Sequence, residues 1–153
     1  MSVEAVQKWI QRLDSSDIEL SIMAAGKLGK MKDRAAVPAL IENLRTRTAH
    51  IRASCARALG DIGDPAAIPA LIEALHDPDP SVSYTAADSL GQIGDNQAVP
   101  ALMQIMKESR SPSHHERLRS DRSGMYAAAR HALERIGTRE ALEAIRKVTK
   151  SFN

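Results

Sequence analysis

The stretch ALGDIGDPAAIPALIEAL, residues 58–75, recurs with small changes along the chain. SLGQIGDNQAVPALMQIM (89–106) and KLGKMKDRAAVPALIENL (27–44) align with it at a spacing of 31 residues. A fourth copy, ALERIGTREALEAIRKV (132–148), is displaced by 43, which places a 12-residue insertion upstream of it. Self-similarity at such a period is typical of repeat architectures, in which stacked units share one continuous core.

Each unit predicts two short helices joined by turn residues. In PALIEAL (69–75) the apolar residues follow helical spacing and form one face. Gly63 suits a left-handed helix cap, and Asp64 suits the start of the next helix. Pro69, like Pro38 and Pro100, predicts either a kink or the start of the regular part of that helix. The pattern predicts helices at about 3–13, 17–30, 34–46, 48–61, 65–76, 80–92, 96–109, 123–136 and 139–150.

The composition agrees with a single helical domain spanning 1–153. Hydrophobic residues make up 43% of the 153 residues, and aromatic residues, which strands favour, only 3%. The lone cysteine, Cys55, excludes an intramolecular disulfide, and we expect it to be a buried thiol because the other copies have alanine there. No apolar run approaches the roughly 20 residues of a membrane span, and no signal-peptide pattern opens the chain. The expected location is cytoplasmic.

The recurring IGDxxAVPALI string, preceded by AAxxLG, resembles HEAT repeats of the short type named after the phycobilisome lyase family. The resemblance implies an all-α, right-handed α-solenoid of four helix pairs plus a terminal helix. It also implies that helices 17–30, 48–61, 80–92 and 123–136 line the concave face. The repeat units lie at about 3–30, 34–61, 65–92 and 96–136, with the insertion within 107–122 and the terminal helix at 139–150.

Stacking places equivalent repeat positions side by side, and four such ladders outline the concave face. The ladders are Gly26-Arg57-Asp88-His131, Lys30-Asp61-Gln92-Arg135, Ile22-Ala53-Tyr84-Ala127 and Met23-Ser54-Thr85-Ala128. We predict an ion pair between Arg57 and Asp88. We also hypothesise a polar recognition strip, since Tyr and Arg are frequent binding anchors. The partner-binding candidates on this face are Arg57, Asp88, Tyr84, His131, Asp61, Gln92 and Arg135.

The inserted segment is the strongest departure from the repeat. It is rich in Ser and Arg, and insertions in solenoids map to surface loops that often carry function. Its candidate contacts to carboxylates or phosphates are Arg110, Arg117, Arg119 and Arg122. The alternative is a tolerated surface loop. His114-His115-Glu116 does not indicate a metal site, because adjacent residues in a loop give no preorganised coordination.

The sequence favours a non-enzymatic adaptor that binds another protein through its concave face and inserted loop, without a cofactor. No nucleotide-binding loop or nucleophile elbow is present. Deoxyhypusine hydroxylases of the HEAT type carry His-Glu pairs on repeat helices, whereas here the His-Glu pair lies in the loop. Residues 1–100 have net charge −3 and residues 101–153 net charge +5, which favours an acidic partner surface near the C-terminal end.

Two other functions stay open. The resemblance to the lyase family implies bilin attachment or removal, or chaperone-like action on phycobiliproteins. The basic C-terminal third suggests nucleic-acid binding through phosphate contacts. Asp61 and Asp88 in the predicted groove argue against nucleic acid, since they would repel phosphates.

Overall fold

The computed structural model describes residues 3–110 and 119–151, including all their side chains except those of 110 and 119–123. Every regular element in this part of the chain is helical. The α-helices are α1 (Val3–Leu13), α2 (Ile18–Met31), α3 (Val37–Thr46), α4 (Ala49–Ile62), α5 (Ile68–Ala74), α6 (Pro80–Ile93), α7 (Val99–Arg110), α8 (Arg119–Ile136) and α9 (Arg139–Lys150). Short 3₁₀ turns at Arg34–Ala36, Pro65–Ala67 and Asn96–Ala98 precede α3, α5 and α7.

The aspartates and prolines of the repeat fix where α3, α5 and α7 begin. Asp64 accepts a hydrogen bond from the backbone N–H of Ala66, and Asp33 and Asp95 do the same in their repeats. These caps start the 3₁₀ turns, and each repeat proline then lies at the second residue of the α-helix. Because that position has no intrahelical acceptor for its N–H, proline costs nothing there. The prolines therefore mark helix starts and do not kink helices.

The inner helix of each pair ends in the left-handed conformation. Gly63, Gly94 and Gly137 have φ of 74°, 75° and 67°. Their equivalent after α2 is Lys32, whose φ is 53° although it carries a side chain. In each case the N–H at this position donates to a carbonyl of the last helical turn. The three glycines donate to the leucine four residues earlier, whereas Lys32 donates to Gly29, three residues earlier.

The helices form two rows. Helices α2, α4, α6 and α8, the inner row, contact one another closely, and each packs on the helix of its own pair. Helices α1, α3, α5, α7 and α9, the outer row, touch their row neighbours much less. A stack that is tighter on one side curves toward that side, so the inner row lines the concave face. Between the rows runs one core with a fully buried leucine per layer, such as Leu28, Leu59, Leu90 and Leu133.

The boundaries of the inserted segment differ from the prediction. Helix α7 continues to Arg110, and α8 begins at Arg119, four residues before the predicted start at 123. Much of the predicted insertion at 107–122 therefore belongs to helices. Residues 119–123 have no apolar stripe, but extending an existing helix needs no new nucleation, so a polar turn can be added at its start.

Candidate functional site

Glycines allow the inner row to stack closely. A Cβ on Gly91 would lie 2.8 Å from Cα of Ala132, and one on Gly29 would lie 3.0 Å from Cα of Ala58. The equivalent Gly60 faces Ser89, whose buried hydroxyl donates to the Ala56 carbonyl over 2.8 Å. The Leu-Gly pair of the repeat thus has a distinct role at each residue. The leucine fills the core, and the glycine lets the next inner helix approach.

The candidate concave residues do lie on the inner row, at or near its surface. Arg57, Asp88, Gln92, His131 and Arg135 are exposed. Asp61 and Tyr84, by contrast, are half-buried. These side chains therefore share the inner-row face of the stack.

The predicted pairing of Arg57 with Asp88 is wrong. Asp88 instead pairs with Arg135 of the next repeat, whose Nη1 lies 2.7 Å from Asp88 Oδ1. The arginine side chain is long enough to reach diagonally from one ladder to the next. Within the described part of the chain, Arg57 forms no ion pair, so its charge faces solvent on the concave side.

Asp61 and Gln92 lie against the preceding inner helix. Asp61 Oδ2 lies 3.2 Å from the point where a Cβ on Gly29 would be, and Gln92 Oε1 lies 2.5 Å from the same point at Gly60. Both polar groups thus occupy space that the glycines leave open. The side chains of Asp61 and Gln92 therefore contribute to the packing between repeats as well as to the surface.

Tyr84 is held against α8. Its ring and hydroxyl group come so close to Gly124 that a Cβ there would clash with them. Gly124 is therefore a helical residue that makes room for Tyr84. This contact joins the third repeat to the first described turns of the fourth.

The four arginines of the predicted loop site divide between helix ends and the segment outside the described residues. Arg110 ends α7, and Arg119 and Arg122 lie in the first turn of α8. Arg117 lies outside the described residues, as do His114, His115 and Glu116.

Arginines at the edge of the stack where the inner helices begin form structural contacts between repeats. Arg52 binds Asp77 through two hydrogen bonds of 2.8 and 2.7 Å, and donates a third, of 2.7 Å, to the Arg47 carbonyl. The hydrogen bond to Asp77 raises the pKa of Arg52 against the opposing effect of burial. In the first repeat Ser21 replaces this arginine, and the Arg47 guanidinium from the next repeat reaches the Ser15 carbonyl instead. The sequence shows serine at position 21 but does not indicate that Arg47 takes over the contact.

A groove of about 300 Å³ lies beside this edge, between α3 and α5. Its charged walls are Arg45, which pairs with Glu73, and Arg52, which pairs with Asp77. Since these charges already neutralise one another, the groove offers a ligand no uncompensated group.

Cys55 is a core thiol. It is fully buried, and this burial raises its pKa to about 12. A thiol with such a pKa is not a nucleophile at neutral pH. Among the described residues, no group of three His, Cys, Asp or Glu side chains is placed to hold a metal ion.

One surface feature has no counterpart in the sequence-based candidates. Met23 and Ile18 of α2 are 54% and 46% exposed on the inner row. The repeat equivalents of Met23 are Ser54, Thr85 and Ala128, so a large apolar residue at that ladder position was the available signal.

Two rows of paired helices, stacked through glycine contacts around one core, define a helical-repeat protein. The family model for HEAT repeats matches residues 6–79 and 51–114, and the chain belongs to this family. This confirms the fold and the family predicted from the repeat. A comparison with curated proteins gave no match. None of the described helices is both long and apolar enough to cross a membrane.

Solved structures with the same fold include enzymes and an engineered protein. One chain of the complex of CpcE and CpcF of phycocyanin lyase from Nostoc sp. PCC7120 is 28% identical, with a TM-score of 0.63. That match covers 94% of this chain, which spans 63% of the lyase chain. An engineered protein is 24% identical, with a TM-score of 0.66 over 97% of this chain and 69% of that one. Human deoxyhypusine hydroxylase is 20% identical, with a TM-score of 0.61 over 94% of this chain and 67% of that one.

Proposed function

We propose that the protein is a non-enzymatic adaptor that binds another protein along its concave face. The observation that carries this proposal is the set of exposed polar side chains on successive inner helices, where Arg57 has no ionic partner among the described residues. Small residues such as Gly26 and Ala53 lie between them and leave room for a partner. The HEAT-repeat family and the lyase complex among the similar structures support a role in protein assembly.

The test is partner capture from native lysate, quantified by mass spectrometry, with three baits. These are the wild type, Arg57→Glu and Arg146→Glu. Arg146 is exposed on α9 of the outer row, so its reversal changes net charge equally without touching the concave face. We expect a protein that the wild type and Arg146→Glu retain and that Arg57→Glu loses by about tenfold or more, or about 1.4 kcal/mol.

Thermal unfolding of all three baits shows whether each is folded. If every captured protein binds Arg57→Glu as well as the wild type, the concave face is not the binding surface and the proposal is wrong. Loss from both variants alike would point to net charge, which also contradicts a specific concave site.

A second candidate function is action on phycobiliproteins. Its support is the 28% identity to a chain of phycocyanin lyase over nearly the whole of this chain. Here the purified protein is incubated with bilin and an apo-phycobiliprotein, and visible absorbance is recorded. A covalent or retained chromophore supports this function. Unchanged spectra, with an active lyase as the positive control, contradict it.

A further inference from the structure

Helix α2 exposes an apolar cluster that the other inner helices lack. Four large hydrophobic residues are exposed in the described part of the chain, and two of them, Ile18 and Met23, lie on α2. Half-buried Ile22 lies one turn after Ile18. Exposed apolar side chains that are grouped on one face mark interaction sites more often than scattered ones do. Methionine also adapts its shape to a partner at low cost.

The surface beside these apolar residues is open, because the side chains that form it are small. A Cβ on Gly26 would meet no heavy atom within 4 Å, in contrast to the crowded glycines of the helix contacts. Ala53 and Ser54 continue this surface on α4. We call this surface the α2–α4 lane; it is formed by Ile18, Ile22, Met23, Gly26, Ala53 and Ser54. Small side chains there leave room for an element as thick as an α-helix, about 10 Å across.

Positive charge borders the lane on the side toward the helix C-termini. Lys30 and Arg57 are exposed, and neither forms an ion pair with a described residue. Further along the concave face Asp88 is neutralised by Arg135. The half-buried Asp61 is the anion beside these two cations, which leaves an excess of positive charge at this border.

We propose that the α2–α4 lane binds an acidic amphipathic helix of the partner protein. Its apolar side would lie on Ile18, Ile22 and Met23, and its carboxylates would face Lys30 and Arg57. An amphipathic helix in a groove is a general recognition mode, and acidic groups complement unpaired cations. This inference rests on the proposed function and adds to it the chemistry of the partner segment.

The test uses fluorescein-labelled synthetic helical peptides of about 18 residues, long enough to be helical in isolation. One peptide has a leucine stripe flanked by glutamates, and a second has the same stripe flanked by lysines. A third has the composition of the first in an order without a stripe. Binding to the full chain is measured by fluorescence anisotropy at two salt concentrations.

One variant fills the open space of the lane, and another reverses the charge at its border. Gly26→Gln fills the open space with an uncharged side chain, whereas Gly26→Ala, its matched control, adds one methyl group. Arg57→Glu reverses the charge, with Arg146→Glu as its control. We expect the glutamate peptide to bind best and to weaken with salt. Gly26→Gln and Arg57→Glu should each weaken it about tenfold, and neither control should.

Equal binding of the glutamate and lysine peptides, or of the striped and scrambled peptides, would overturn this inference. So would full binding by Gly26→Gln with intact folding shown by circular dichroism. Failure of this inference is distinguishable from failure of the adaptor role. If only the helix-binding inference is wrong, the partner captured from lysate will still depend on Arg57 but will bind Gly26→Gln as well as the wild type.

Discussion

Gly91 and Gly26 both lie within inner-row helices, but their surroundings are opposite. Gly91 is pressed against the backbone of Ala132, and Gly26 faces open space. We expect Gly91→Ala to lower the free energy of unfolding by about 1–3 kcal/mol, because the α6–α8 contact must open. Gly26→Ala should raise it by about 0.5–1 kcal/mol through helix propensity. Urea unfolding of both variants measures the difference, and equal effects would contradict the stacking role of Gly91.

The thiol of Cys55 gives a second prediction for a single residue. Because burial raises its pKa to about 12, the folded chain keeps the proton where an unfolded thiol loses it. Cys55 therefore contributes stability below pH about 8.5, and this stability is lost as pH rises toward 12. At pH 8 a thiol reagent should react only after denaturant is added. Fast labelling of the native protein would show that Cys55 is accessible.

At the scale of elements, two arginine–carboxylate pairs join neighbouring repeats with similar geometry. Arg52 and Asp77 are 19% and 10% exposed, whereas Arg45 and Glu73 are 52% and 60% exposed. We expect Asp77→Ala to cost about 2–3 kcal/mol, since charged hydrogen bonds are lost and Arg52 is left without its partner. Glu73→Ala should cost less than about 1 kcal/mol, because solvent screens the exposed pair. Thermal and urea unfolding compare the two, and equal losses would refute the role assigned to burial.

The elements that could be predicted are those whose signals are local. Gly63, Asp64 and Pro69 act on the turns in which they lie, so the sequence located most helix ends within one or two residues. The start of α8 was missed because residues 119–123 are polar and carry no periodic signal. The partner of Asp88 was missed because the repeat alignment shows only which positions are neighbours. Whether Asp88 pairs with Arg57 or with Arg135 depends on how far each arginine side chain reaches. The ladder of Met23 lies on the predicted concave face, so its exposure could be predicted, and the large apolar side chain at that position was the available signal.

For the whole molecule, charged residues occupy stacking positions at both ends of the inner row. Lys27 takes the place of the buried Ala58, Ser89 and Ala132. On α8, Glu134 takes the place of the close-contact glycine and pairs with Arg130 over 2.9 Å. Such residues prevent another inner helix from approaching. They act as the polar outer faces that terminal repeats need for solubility.

Removing these charges should leave an uncharged helix face at each end of the inner row. We expect the triple variant Lys27→Ala/Arg130→Ala/Glu134→Gly to self-associate more strongly than the wild type through these faces. Sedimentation velocity over a range of concentrations measures the association. The Arg146→Glu variant serves as a control for a change of charge away from these faces. If the triple variant sediments as the wild type does, the end charges do not control stacking.

The contacts between repeats, described above as rows of adjacent helices, also set the order in which the chain comes apart. Every extensive helix contact in the described residues joins helices of the same repeat or of the next one. Each stacking step therefore closes a loop of similar length, and order can spread one repeat at a time. Helices α4 and α6 have neighbours on both sides, whereas α1 and α9 end the stack. Amide hydrogen exchange should be slowest in α4 and α6 and faster toward both ends, because local unfolding begins at the two terminal repeats.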